Sequence, residues 1–240
     1  MGRLSTEYVE LKDARIAYTQ HGDGQTLLLL HGNSESKRVF ARYQTEHFST
    51  FRTVAIDSRG HGETQSQDDV YSIEQYAEDV IAFCKAKGIN HAFVIGYSDG
   101  GNIALFLARK APQLFPKIIA ISPNYLVSGT TDGALRLFRT LIGLMTFLRR
   151  VGFRTQKSIA RLNLMMNDIG LTDDDLRSIK ATMMILYAEK DLIKEDHIKQ
   201  IAGLIPNAHL YKVRGSNHIS IFWKKESIEV MRGDLLKNQT

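Results

Sequence analysis

One stretch of the chain, residues 92–102, limits the available folds more than any other. An apolar strand pattern runs into the turn Gly96-Tyr97-Ser98-Asp99-Gly100, and a helix pattern follows over residues 102–110. A G-x-S-x-G sequence at such a corner forms a tight, strained turn, because its glycines carry no Cβ atoms that would collide there. The turn exposes the Ser98 hydroxyl at the end of a strand and beside a helix N-terminus, where negative charge is stabilised. Ser98 is therefore a candidate nucleophile.

A nucleophilic serine needs a general base and an acid that orients the base, and later strands provide candidates for both. Residues 182–187 form a short apolar strand pattern, and Asp191 follows in the next loop. Residues 208–213 form another strand pattern that leads to His218. In an open α/β sheet the C-terminal ends of the strands meet at one crevice. The pattern therefore predicts a triad of Ser98, His218 and Asp191.

The chain also offers donors for an oxyanion hole, which stabilises the charge that develops on an attacked carbonyl. Residues 26–30 are continuously apolar, as is typical of a strand buried on both faces, and they lead into His31-Gly32-Asn33. We predict that the backbone N–H groups of Asn33 and Asp99 form this hole.

In chain order these motifs resemble those of the α/β-hydrolase family over nearly the whole sequence. The matching elements are His31-Gly32-Asn33, Asp57-Ser58-Arg59-Gly60-His61-Gly62, Gly96-Tyr97-Ser98-Asp99-Gly100, Asp191 and His218. The resemblance implies an α/β fold with a mostly parallel, eight-stranded sheet, helices on both faces and a helical cap inserted after the sixth strand. It also implies cofactor-free attack by serine on a carboxylic ester, thioester or amide. The Ser-Asp-Gly-Gly form of the turn is similar to that of valacyclovir hydrolase-type amino-acid esterases.

Other residues compete for the roles of acid and base. Asp191 could instead cap the helix that its following residues predict. His31 and His61 lie in loops next to the crevice, but neither follows a late strand, as the family pattern requires of the base. Some family members place the acid after the sixth strand, where this chain has the uncharged Asn124. Asp57 ends the fourth strand, and we interpret it as ordering the loop that follows.

Composition and motifs exclude several other classes of protein. The 240 residues are 43% hydrophobic and 24% charged, which is ordinary for one globular enzyme domain. We expect no metal and no cofactor, because the chain lacks Cys/His clusters with ligand spacing and glycine-rich phosphate loops. The net charge of +5 comes without a nucleic-acid motif, so we expect no nucleic-acid partner. The single cysteine, Cys84, and an N-terminus without an apolar signal region predict a cytoplasmic protein.

The strand and helix patterns predict a core interrupted by one insertion. Residues 124–179 have a mostly helical pattern and separate the earlier strands from the strand that starts at residue 182. We therefore predict an α/β-hydrolase core over residues 1–123 and 180–240, with a cap over residues 124–179. A shorter helix is predicted within residues 37–47.

The predicted cap has an uneven charge pattern. Residues 133–167 contain seven Arg or Lys residues and no Asp or Glu. On a helical wheel over residues 134–151, arginines occupy one side. The opposite side carries Leu137, Leu141, Leu144, Met145, Leu148 and Val151. We favour an interpretation in which this apolar side packs over the crevice, so that Leu141 and Met145 contact substrate, and the basic side is solvated. In the other interpretation the helix lies on anionic lipid or guides a fatty-acyl substrate.

Two classes of function remain open. The first is a serine hydrolase that cleaves a small or medium carboxylic ester, or a thioester or amide, through an acyl-enzyme intermediate. The second is a small-molecule receptor with little turnover, because some relatives of this fold keep the triad and act as receptors. Haloalkane dehalogenases and epoxide hydrolases of this fold use an aspartate as the nucleophile. This chain has Ser98 at that position, which disfavours both activities. We expect the Asp99 carboxylate either to support the helix start through the helix dipole or to bind a cationic substrate group.

Overall fold

The computed structural model describes residues 4–67 and 69–237 of the chain. The strands are β1 (Glu7–Glu10), β2 (Ala14–His21), β3 (Thr26–Leu30), β4 (Arg52–Ile56), β5 (Gln65–Ser66), β6 (Phe93–Tyr97), β7 (Lys117–Ile121), β8 (Thr182–Lys190) and β9 (Ala208–Asn217). The α-helices are α1 (Ile73–Ala86), α2 (Asp99–Lys110), α3 (Asp132–Arg150), α4 (Gln156–Leu164), α5 (Asp173–Arg177), α6 (Glu195–Leu204) and α7 (Lys225–Leu236).

The predicted mostly parallel sheet is confirmed. Nine strands form it, and eight of them follow the order β1-β2-β4-β3-β6-β7-β8-β9. The β2 strand is antiparallel to β1 and β4, and every pairing from β4 to β9 is parallel. The two-residue strand β5 pairs with β2 at the side of the sheet, and no sequence pattern indicated it. Because β5 precedes it, the sixth strand of the family pattern is β7 here.

The sheet is buried on both faces, which explains why its central strands are continuously apolar. Successive side chains of a strand point to opposite faces. Leu28 and Leu30 accordingly pack into the cluster that α1 and α2 cover, whereas Leu27 and Leu29 pack into the cluster on the other face. Helix α7 contributes Met231 and Leu235 to that second cluster. The C-terminal ends of the parallel strands consequently open at one edge of a rigid core.

The helix predicted within residues 37–47 is not a regular α-helix. Lys37–Phe40 is a 3-10 helix and Tyr43–His47 is a π-helix. The Lys37 end is held by Asp57, whose carboxylate accepts hydrogen bonds from the Lys37 backbone N–H (2.6 Å) and ammonium group (2.7 Å). The Tyr43 ring stacks on Phe222 with the ring centroids 4.6 Å apart. We attribute the irregular winding to these tertiary contacts at both ends, which local sequence does not show.

Helices α3, α4 and α5 lie between β7 and β8, so the insertion is helical as its pattern predicts. Helices α3 and α4 pack on each other, whereas α5 packs against α2 and α6 of the core. Leu176 of α5 is fully buried in the main core cluster. The division of the chain at residues 124 and 179 stays a prediction.

The start of α2 lies so close to β3 that it tolerates no side chain at residue 100. A Cβ atom on Gly100 would overlap the carbonyl oxygen of Leu30. We expect Gly100→Ala to lower the free energy of unfolding by about 3 kcal/mol or more, because backbone on both sides must move. Gly143→Ala is the matched control, because Gly143 lies in α3 with open space around it. That variant should be more stable by about 0.5–1 kcal/mol. Urea unfolding measures both, and equal stability of the two variants would contradict the close approach.

Candidate active site

Ser98 occupies the strained corner between β6 and α2. Its φ of 54° and ψ of −117° place a non-glycine residue in a region that normally costs about 1–3 kcal/mol. The Ser98 backbone N–H donates to the Ile121 carbonyl of β7 at 2.9 Å. The serine therefore lies at the C-terminal end of the central strand β6, and α2 begins at the next residue.

The structure brings the three predicted triad residues together. His218 Nε2 lies 3.1 Å from Ser98 Oγ, and His218 Nδ1 lies 2.6 Å from Asp191 Oδ1. An ionised carboxylate only accepts hydrogen bonds, so Nδ1 carries the proton and Nε2 is free to accept the serine proton. The Asp191 side chain is 2% exposed and that of His218 is 12% exposed. The order of serine, base and orienting acid is that of a nucleophilic triad.

Asp191 stays ionised although it is buried. Burial acts to raise its pKa, but hydrogen bonding and charge interaction with His218, together with a bond from Ser122, hold the pKa below its ordinary value. Ser122 Oγ donates to Asp191 Oδ2 at 2.6 Å, and the Ala188 N–H donates to the same oxygen at 2.9 Å. Sequence reasoning missed Ser122. A polar residue immediately after β7, beside the strand that carries Asp191, is the signal that identifies it.

The structure also shows what surrounds the residues for which the sequence left other roles open. Asp191 is not a helix N-cap, because α6 begins at Glu195 and Lys194 is its capping residue. Asn124 Oδ1 accepts a hydrogen bond from Asn102 at 3.3 Å. Asp57 binds the buried Lys37 and the Glu63 backbone N–H, so it orders the loop after β4 as expected.

The two predicted oxyanion donors, Asn33 and Asp99, both line the cavity that contains Ser98. Within residues 4–67 and 69–237, no group accepts a hydrogen bond from either backbone N–H. The Asn33 side-chain amide donates to Asp99 Oδ2 at 2.9 Å and to the Arg161 carbonyl at 2.8 Å. It thereby links the loop after β3 to α2 and to α4. The oxyanion role itself stays a prediction.

His31 and His61 hold in place the loops beside Ser98. His31 Nδ1 donates to the Gly32 carbonyl, and its Nε2 accepts the Ser58 backbone N–H at 3.1 Å. His61 Nδ1 donates to the Arg59 carbonyl, and its Nε2 accepts the Ser34 backbone N–H at 3.1 Å. Both arrangements require neutral rings. Burial lowers the pKa of His31, and burial together with the neighbouring His31 lowers the pKa of His61 to about 3.

A cavity of about 330 Å³ opens in front of Ser98 and His218. Leu141 of α3 lines it as predicted, but Met145 does not, because that side chain lies one turn further along α3. Sequence reasoning missed several apolar residues of the wall: Phe138, Leu162, Leu164, Met165, Ile169 and Ile219. Those on the cap are scattered over α3, α4 and the turns around them, so no single periodic pattern groups them.

The expected apolar side of α3 is only partly buried, which corrects the favoured interpretation of the helix. Leu141, Met145 and Leu148 are half-buried. Leu137, Leu144 and Val151 are exposed. The inward face of α3 is rotated toward Ala134 and Phe138, because the cavity and α4 both lie on that side.

Two acidic side chains face the cavity without a cationic partner. Burial raises the pKa of Asp99 to about 6, although the Asn33 amide and His218 act in the opposite direction. Burial also raises the pKa of Glu35, against the effect of the Gly32 N–H that it accepts at 3.0 Å. No Lys or Arg among the described residues forms an ion pair with either carboxylate. The cavity wall in front of Ser98 therefore carries two carboxyl groups that lack a described Lys or Arg partner.

No group of three or more His, Cys, Asp or Glu side chains that could hold a metal ion occurs in the part of the chain that the structure describes. A larger cavity of about 680 Å³ opens beside Leu4, Lys37 and Glu63, and Ser98 does not line it. Lys37 there is already paired with Asp57 and Glu63. Ser98 and His218 line the smaller cavity instead.

Comparison with known proteins agrees with this geometry. Residues 25–156 match the family model of the alpha/beta hydrolase fold, and the chain belongs to the α/β-hydrolase family. The AB hydrolase superfamily protein YisY of Bacillus subtilis is 28% identical over 243 aligned positions, which cover 86% of this chain and 90% of that protein. The 2-(acetamidomethylene)succinate hydrolase of Mesorhizobium japonicum is 29% identical over 102 residues, 42% of this chain and 37% of that protein.

Among solved structures, one described as Est816, an N-acyl homoserine lactone degrading enzyme, superimposes with a TM-score of 0.77. The match covers 95% of this chain and 99% of that one at 24% identity, so it shows a common fold.

The neutral His61 makes stability depend on pH. An unfolded histidine binds a proton below about pH 6.5, whereas folded His61 does so only near pH 3. Its contribution to stability is thus present above pH 6.5 and is lost as the pH falls toward 3. We expect unfolding free energy to fall by up to about 1.4 kcal/mol per pH unit from this group alone. Urea unfolding at several pH values between 3 and 6.5 gives the unfolding free energy as a function of pH. This free energy should change less steeply with pH in His61→Gln, whereas His91→Gln, at an exposed position, should behave like wild type. An unchanged slope in His61→Gln would contradict a neutral His61.

Proposed function

We propose that the protein is a serine hydrolase that cleaves a small or medium carboxylic ester through an acyl-enzyme intermediate. The observation that carries the proposal is the hydrogen-bonded series from Ser98 through His218 to Asp191. In this mechanism Ser98 Oγ attacks the carbonyl while His218 Nε2 takes its proton, and Asp191 stabilises the imidazolium that forms. The imidazolium then gives this proton to the leaving alcohol as the ester C–O bond breaks. A water molecule deprotonated by His218 finally hydrolyses the acyl-enzyme and restores the Ser98 hydroxyl. The N–H groups of Asn33 and Asp99 would receive the developing oxyanion. No cofactor enters these steps, and a cytoplasmic location belongs to the same proposal.

The cavity supports an ester of limited size. Its volume of about 330 Å³ is at the lower end for small-molecule sites, and α3 and α4 supply apolar walls for an acyl group. The described action of Est816 on a lactone, a cyclic ester, is compatible with this substrate class. A thioester or amide would use the same residues. The alternative is a small-molecule receptor that retains the triad but has little turnover. In that case Ser98 is either not acylated or stays acylated without release of the acid.

Triad variants test the proposal through their non-additivity. We expect Ser98→Ala and His218→Ala each to lower kcat for p-nitrophenyl acetate by roughly 10⁴ or more, with little further loss in the double variant, because the residues act as a unit. Stopped-flow release of p-nitrophenol should show a burst equal to the enzyme concentration, and a fluorophosphonate should label Ser98. His21→Ala, at an exposed position, should keep wild-type rates. Additive losses, or an active Ser98→Ala protein, would refute the assignment.

The acidic cavity wall favours an ester that carries a positive charge near the scissile bond. Asp99 is 7% exposed and directly follows Ser98, and its carboxylate has no Lys or Arg ion-pair partner among the described residues. We therefore propose that it pairs with a substrate ammonium group, such as the α-amino group of an amino-acid ester. The alternative is that Asp99 only stabilises the start of α2 through the helix dipole.

The substitution Asp99→Asn keeps the backbone N–H and removes the charge. We expect kcat/KM to fall about tenfold or more for an aminoacyl ester, with no comparable loss for the matched acyl ester without the amine. Because the pKa of Asp99 is about 6, wild-type preference for the aminoacyl ester should decline as the pH falls through 6 and stay constant in the variant. Asp132→Asn removes another acid from a helix start and serves as the control. Equal losses on both esters would leave Asp99 with the helix-start role alone.

A further inference from the structure

The outer side of α3 carries an apolar stripe that is exposed in the described part of the chain. Five large apolar side chains form this exposed stripe on α3 and the turn after it: Leu137 (53% exposed), Leu144 (48%), Phe147 (60%), Val151 (55%) and Phe153 (61%). Leu137, Leu144 and Val151 recur every seven residues and so lie along one line of the helix, about 21 Å long. Large apolar groups clustered on a surface mark a site of interaction.

A basic row runs beside the exposed stripe. Arg136, Arg139 and Arg150 are exposed on the neighbouring side of α3, and Arg149 and Arg154 are exposed near its C-terminal end. In residues 4–67 and 69–237, no carboxylate forms an ion pair with these five arginines; Lys157, further along, pairs with Asp69. Helix α3 therefore has three sides: one that faces the cavity and α4, one apolar and exposed, and one basic and exposed.

We propose that the exposed stripe and basic row of α3 dock the protein on the surface of an anionic lipid membrane. An interfacial helix lies in the plane of the membrane with leucine and phenylalanine in the acyl boundary and arginines at the headgroups. The arrangement of α3 meets both requirements on adjacent sides. A second copy of the chain is a poor occupant, because two such faces would bring ten unpaired arginines together.

The docking is peripheral and leaves the core outside the bilayer. None of the helices in the described part of the chain has the length and hydropathy to span a membrane. Helix α3 lies between the proposed membrane surface and the cavity, whose wall includes Phe138 and Leu141 of the same helix. The proposal does not depend on the proposed esterase activity.

Vesicle co-sedimentation tests the proposal with the full chain. We expect binding to vesicles of phosphatidylcholine and phosphatidylglycerol in equal parts, and little binding to phosphatidylcholine alone. Binding should weaken at molar salt, where the Debye length falls to about 3 Å. Arg139→Gln/Arg150→Gln should reduce the partition coefficient about tenfold or more through lost attraction to anionic lipid. Leu144→Ser/Phe147→Ser should reduce it to a similar extent through lost apolar burial.

The controls separate docking from misfolding and from charge alone. All four substituted residues are exposed, so urea unfolding should remain near wild type. Lys225→Gln/Leu236→Ser makes the same kinds of change at exposed positions on α7 and should bind vesicles like wild type. Absence of binding to anionic vesicles, or equal binding by the α3 variants, would overturn the proposal. A dimer in analytical ultracentrifugation that Leu144→Ser/Phe147→Ser dissociates would also overturn it.

Discussion

The whole site depends on the close approach between the first turn of α2 and the end of β3. Gly100 leaves room for the Leu30 carbonyl, and a Cβ on Gly96 would overlap the Gly100 backbone in the same way. This approach bends the chain sharply enough to place Ser98 at φ 54° and ψ −117°. The strain is tolerated because β6, β7 and α2 hold the flanking residues in regular hydrogen-bonded structure. Without it, the serine hydroxyl would not stand clear of the strand end.

A set of loops completes the site, and each loop is tied to another by a buried polar side chain. His31 and His61 connect the loop after β3 to the loop after β4, and Ser122 connects the end of β7 to Asp191. Both histidines satisfy their hydrogen bonds only as neutral rings. Burial gives those bonds their strength and makes any unpaired group costly. The arrangement of Ser98, His218 and Asp191 is therefore held by polar networks around it as well as by the hydrogen bonds among the three residues.

The helices between β7 and β8 face two different surroundings. Helix α3 presents different chemistry on each side, with Phe138 and Leu141 toward the cavity and a solvent-exposed apolar stripe beside arginines. The two carboxyl groups of the cavity wall, Asp99 and Glu35, contrast with this basic outer surface. A cationic ester and an anionic membrane would thus be recognised at separate places by opposite charges.

Sequence alone placed the strained turn and the three candidate triad residues, because these depend on local periodicity and on where each strand ends. The mostly parallel sheet was predicted from the resemblance to the family. Asp191 and His218 could be placed because parallel strands align their C-terminal ends. Only the tertiary structure decided which side of α3 faces inward, since that depends on the position of α4 and the cavity. It also decided the irregular winding of residues 37–47, which Asp57 and Phe222 impose, and the role of Ser122. Those features depend on contacts with residues far away in the sequence, and the periodicity of a single segment contains no information about such contacts.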